Sequence, residues 1–145
     1  MTTDANVSAL PSSAALAYLG DAVFSLYVRE KLVERGFSHA KELNEYSRRF
    51  VSAQGQAEFF LKIEDMLTEE ERDICRRASN SSHLQRPKHT PISVYRRATG
   101  LEALIGALHF VKDVARLDFL LSQLDFEELS DDTHTAVKVQ TTRGL

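Results

Sequence analysis

The chain has 145 residues, enough for one domain with a real core, and its composition, 43% hydrophobic and 27% charged, is ordinary for a soluble protein and weighs against membrane insertion. One cysteine, Cys75, excludes an intrachain disulfide and fits a reducing cytoplasm, and no CxxC or HxxxH spacing supports a zinc site. The formal net charge of -3 taken alone weighs against a nucleic-acid partner.

The N-terminus, MTTDANVSAL, lacks the basic start and long apolar stretch of a signal peptide. Ser12 or Ser13 can cap a helix that begins near Ala14 and runs to about Arg35, with a break expected at Gly20 and a stop at Gly36. Leu16, Leu19, Val23 and Leu26 form one apolar stripe on it, and Ala14, Ala17, Phe24 and Val28 form a second on the other side. A helix apolar on both faces is buried in a core or between subunits. Asp21 falls on the second face. A buried carboxylate without a partner is costly, so Asp21 calls for a base, a cap geometry or a metal ion. The run is too short for a membrane span, with Gly20 and Asp21 at its centre.

Helical spacing continues almost everywhere, and no segment alternates like a solvent-facing strand. Ser38 can cap a helix carrying Ala40, Leu43, Tyr46, Phe50 and Val51. Gly55 marks a bend before a helix with Ala57, Phe60, Ile63 and Leu67. Thr68 and Glu71 have the spacing of a capping box, opening a short helix to about Ala78. Ser79 to Pro91, SNSSHLQRPKHTP, reads as one long loop, a feature that is usually functional or disordered. A strong helix follows from about Ser93 to Val111, with Leu101, Leu104, Ile105 and Leu108 on one face and Gly106 suited to close helix packing. A last helix spans about Val114 to Leu124, periodicity fades from Asp125, and a mobile tail is expected after about Ser130.

Charge is concentrated around that loop. Arg72, Arg76, Arg77, Arg86, Lys88, Arg96 and Arg97 stand against the single acid Asp73, so residues 72–97 carry +6 and the remainder -9. A basic patch on an acidic body is the footprint of a polyanion site.

Two segments together carry a family resemblance. Ala17 to Phe24, AYLGDAVF, resembles the signature helix of ribonuclease III endonucleases. Leu101 to Leu108, LEALIGAL, resembles their second catalytic helix, in the right order and with a helical insert between. The run Tyr95 to Gly100, after a polar-basic loop, is similar to the small Mini-ribonuclease III branch, which lacks an appended double-stranded RNA-binding domain. The resemblance implies an all-α helical bundle: an N-terminal extension over 1–10, a ribonuclease III-like catalytic domain over 11–125 and a flexible tail over 126–145. It implies an endoribonuclease that hydrolyses double-stranded RNA to 5'-phosphate products, in the cytoplasm or a plastid stroma.

Carried over residue by residue, Asp21 and Glu102 are the catalytic and metal-binding carboxylates. Classical members have acids one and two turns before the Asp, where this chain has Ala17 and Ala14, and an Asp where it has Thr99, departures that the Mini-ribonuclease III branch tolerates. Two carboxylates on different helices are a minimal cradle for Mg2+, with Mn2+ as a substitute. A hard cation answers the two demands of phosphodiester hydrolysis, an activated water and a neutralised phosphate. Thr99 is suited to hold a water of that ion. Arg76, Arg77, Asn80, Ser81, His83, Arg86, Lys88, Arg96 and Thr99 are the expected RNA contacts. The resemblance further implies a homodimer with the signature helix at its interface and a stem of precursor 23S ribosomal RNA as substrate, and leaves open whether a ribosomal protein presents it.

Without the family, Asp21 after Gly20 reads equally well as a cap, and Glu102 at the edge of an apolar stripe reads as a surface acid. The alternatives are a catalytically inactive RNA-binding module of the same fold, against which both acids speak, and a helical interaction protein, against which the basic patch speaks.

Overall fold

The computed structural model describes residues 10–81, 86–127 and 129. Its helices are α1 (Ser13–Glu34), α2 (Ala40–Val51), α3 (Ala53–Ile63), α4 (Glu69–Ser81), α5 (Ile92–Phe110) and α6 (Val114–Leu121), with a 3-10 turn at Glu64–Met66. No strand occurs among the described residues, so the all-α expectation holds.

The arrangement is set by one crossing. A Cβ on Gly20 would sit 1.7 Å from the Glu102 carbonyl oxygen, and a Cβ on Gly106 would sit 1.9 Å from that of Leu16. Helices α1 and α5 therefore touch main chain to main chain, running antiparallel, and no side chain fits at either glycine. Gly106 does what its position suggested. Gly20 does not break the helix: α1 runs through it from its cap, where Ser12 Oγ accepts from the Ala15 N–H at 3.1 Å, to Gly36 at φ 97°.

The crossing also fixes which side of α1 is inside. The buried positions are Leu16, Gly20, Phe24, Val28 and Leu32, one stripe at every fourth residue. Of the second stripe, for which a core or a subunit interface stood open, Phe24 and Val28 belong to this chain's own core with Phe59, Ile63, Leu101 and Leu104. Ala14 from the same expected face is exposed and Ala17 half-buried, while Leu26 from the other stripe points outward. The outer side carries Tyr18, Ala22, Leu26 and Val33, with Tyr18 85% exposed. Periodicity could not make this choice, because α1 is apolar nearly all round.

Elsewhere the elements start where capping chemistry puts them. The break between α2 and α3 falls at Ser52, whose Oγ accepts from the Gly55 N–H at 3.1 Å, and not at Gly55 itself. Ser38 is not a cap: His39 precedes α2 without a side-chain capping bond. The box before α4 forms as expected, Thr68 N–H to Glu71 Oε1 at 2.9 Å and Glu71 N–H to Thr68 Oγ1 at 3.1 Å. Helix α4 continues to Ser81, so the first three residues of the expected loop are helical. Helix α6 stops at Leu121, short of the expected Leu124.

Glu71 is also gripped from α6. Arg116 Nε and Nη2 donate to its two carboxylate oxygens, each at 2.8 Å, and Nη2 donates to the Met66 carbonyl at 2.8 Å. The core extends past Asp125: Phe126 and Leu129 are buried, the Phe126 ring lies 4.6 Å from Phe50, and Glu127 pairs with Arg35 at 2.6 Å. The expected tail beyond Ser130 lies outside the described residues. No helix among the described residues is long and apolar enough to cross a membrane.

Candidate active site

The main-chain contact of Gly20 with Glu102 brings the side chains of Asp21 and Glu102 to one place. They share the wall of a cleft of ≈ 630 Å³ with Tyr18, Ser81, Tyr95 and Thr99. The roles of the two acids differ from the expectation. Asp21 is exposed, not buried, because the crossing turns the Gly20 face inward and leaves the next residue at the rim. The partly buried acid is Glu102. Burial, then a hydrogen bond with Asp21 and its negative charge, push the Glu102 carboxyl up to about 8. A hydrogen bond from Gln56 opposes that rise, its Nε2 donating to Glu102 Oε2 at 3.2 Å.

Gln56 was not singled out in the sequence. It is 2% exposed on α3, and with Glu71 it makes up the buried polar and charged side chains among the described residues. The one signal available was its place beside Ala57 on the inner side of a predicted helix.

An exposed carboxyl beside a partly buried one whose proton affinity it raises fits a divalent cation, which relieves their repulsion, and an all-oxygen donor set fits a hard one. No group of three or more His, Cys, Asp or Glu placed to hold a metal occurs among the described residues. Thr99 donates its hydroxyl proton to the Tyr95 carbonyl at 2.9 Å, which leaves its oxygen free to accept.

The expected RNA contacts divide. Ser81 and Thr99 line the cleft. Arg76, Arg77 and Asn80 are exposed on the C-terminal half of α4, Arg96 on the first turns of α5, and Arg86 and Lys88 on the connection between them. His83 lies outside the described residues. Part of the positive charge is compensated: Arg76 and Arg77 both pair with Asp73, the latter at 2.7 Å. Arg86 Nη1 donates to the Thr90 carbonyl at 2.9 Å, and Ser79 Oγ donates to the Arg96 carbonyl at 2.9 Å, tying α4 to α5.

A sequence model of the Ribonuclease III domain matches residues 14–113, which contain both acids and both helices of the crossing. The chain belongs to the ribonuclease III family. Its relatives include the Mini-ribonuclease 3 of Thermoanaerobacter sp. (strain X514), 42% identical over 106 residues, 73% of this chain and 75% of that protein. The Mini-ribonuclease 3 of Symbiobacterium thermophilum is 39% identical over 114 residues, 78% of this chain and 88% of that one. A Fusobacterium nucleatum protein solved by X-ray crystallography matches with a TM-score of 0.70 at 32% identity, over 77% of this chain and 88% of the other. As a ribonuclease III, the chain is an endoribonuclease of double-stranded RNA in a family that works with divalent metal.

Proposed function

We propose that this ribonuclease III cuts stems of precursor 23S ribosomal RNA in the cytoplasm as a homodimer, with Mg2+, or Mn2+ in its place, held by Asp21 and Glu102. The observation that carries the reading is the pair of acids from two helices meeting at one cleft, with Glu102 held up to about 8 by burial and by Asp21. The catalytic domain is the segment 11–125 together with Phe126 and Leu129, which complete its core.

A divalent ion, when bound, supplies Lewis acidity toward the phosphodiester and the attacking water. The chain's own residues do the rest. Asp21 and Glu102 place the charge at the cleft wall, and the Thr99 hydroxyl oxygen orients water there. Arg76, Arg77, Arg86, Lys88 and Arg96, with Asn80, Ser81 and His83, meet phosphates and 2'-hydroxyls along the minor groove, where A-form RNA is read by shape. The outward stripe of Tyr18, Ala22, Leu26 and Val33 is a patch of the kind two copies bury across a two-fold axis. Two sites so related cut both strands of a duplex in one encounter.

Incubation with long double-stranded RNA, with and without Mg2+, followed by mapping of ends on precursor 23S RNA, tests the reaction. Binding without fragments would favour the inactive RNA-binding module. Sedimentation at twice 16.3 kDa, and at 16.3 kDa for Leu26→Glu, tests the dimer.

A further inference from the structure

Gln56 is held from both sides. Its main chain belongs to the elbow between α2 and α3, where its N–H donates to the Ser52 carbonyl at 2.9 Å and Ser52 Oγ caps the turn. Its side chain crosses to α5 and donates to Glu102 Oε2 at 3.2 Å. An amide so buried is costly unless it is hydrogen-bonded, and the bond it makes is to a cleft carboxylate.

The residue type matters at this place. A Lys or Arg would also donate, but its positive charge would compete with a bound cation. A Glu would add a third negative charge to a pair already crowded. An amide donates one N–H and leaves the charge of the site unchanged. Buried and anchored at the elbow, it fixes the carboxylate at small entropic cost.

We propose that Gln56 is a positioning residue for Glu102, an amide from α3 that holds the carboxylate in its metal-binding orientation; this rests on the reading of Glu102 as a metal ligand. Partners of this kind, when removed, typically weaken metal affinity by roughly 10–100-fold.

The test is Mn2+ binding to the full chain without RNA, read by the electron paramagnetic resonance of free Mn2+. Gln56→Met keeps the volume and removes the donor. It is expected to fold and to bind Mn2+ roughly 10–100-fold more weakly. The Mg2+ concentration for half-maximal cleavage should rise by a similar factor, with RNA affinity in Ca2+ unchanged. Gln56→Asn keeps the amide but is one methylene short of Glu102. It should show the same loss and serves if Gln56→Met does not fold. Glu102→Gln is the control, and adding Gln56→Met to it should cost nothing further, since the bond acts through Glu102. Unchanged Mn2+ affinity in the Gln56 variant, with loss in Glu102→Gln, overturns this inference alone. Unchanged affinity in Glu102→Gln overturns the ligand reading beneath it.

Discussion

Glu71 and Glu102 are both withdrawn from water, yet they stand in opposite electrostatic settings. Burial alone would raise Glu71, but hydrogen bonds from Arg116 and Thr68 outweigh it and hold the carboxyl below its usual range. Glu102 meets another acid in place of a base, and its carboxyl rises to about 8. One carboxylate is finished by the fold and joins α4, α6 and the turn between them. The other is left unfinished by the chain's own groups, which is the condition of a site that takes a cation. Low exposure is common to both; the sign of the neighbour separates structure from chemistry.

The largest expected effect tests the unfinished side. Asp21→Asn and Glu102→Gln should each lower cleavage of double-stranded RNA by on the order of 10³-fold, about 4 kcal/mol in the barrier. Metal-free melting temperature measured above pH 8, where Glu102 is ionised, should hold or rise, because each change removes repulsion. Lower melting temperatures in both variants would assign the pair a structural role.

Next is the finished side. Arg116→Met leaves Glu71 buried and unpaired, and breaking such a pair costs about 3 kcal/mol. Urea unfolding should show that loss, while cleavage well below the melting temperature persists. Equal loss of activity and stability would erase the distinction between the two carboxylates.

A smaller effect is expected with pH. The folded pKa of Glu71 lies below its ordinary value of 4.5, so its contribution is fully present above that value and is lost as pH falls through the folded pKa. Melting measured downward from pH 5 should therefore fall more steeply for the wild type than for Arg116→Met. Parallel curves would mean that the pair does not hold Glu71 ionised.

The smallest lies on the link between the two. Lys112, just after α5, has φ 63°, a left-handed conformation that costs a non-glycine residue about 1 kcal/mol. Lys112→Gly should raise stability by up to about that amount and leave cleavage unchanged. A change in activity would show that the turn also governs Glu102.

The sequence made the helices legible because apolar spacing and caps are local. The Thr68–Glu71 box is the clearest case. It misled where a choice depended on a neighbour. Helix α1 offers two apolar faces, and the side that became core follows from backbone contact at Gly20 and Gly106, which no periodicity encodes. Asp21 moved from inside to rim for the same reason. The meeting of Asp21 and Glu102 was legible through family resemblance, since no spacing relates residues so far apart. Gln56 and the Arg116 clasp were not legible. Each pairs residues some 45 positions apart, and neither a lone amide nor a lone arginine signals its partner.

The glycine crossing has a dynamic consequence. Asp21 and Glu102 are set by two main chains in contact at the centre of the core, not by loops that can open alone. Their amide hydrogens should then exchange with solvent only when the whole domain unfolds, as slowly as those of Leu104 and Phe24. The two acids are then expected to have no melting step of their own: on heating, their juxtaposition should be lost together with the core.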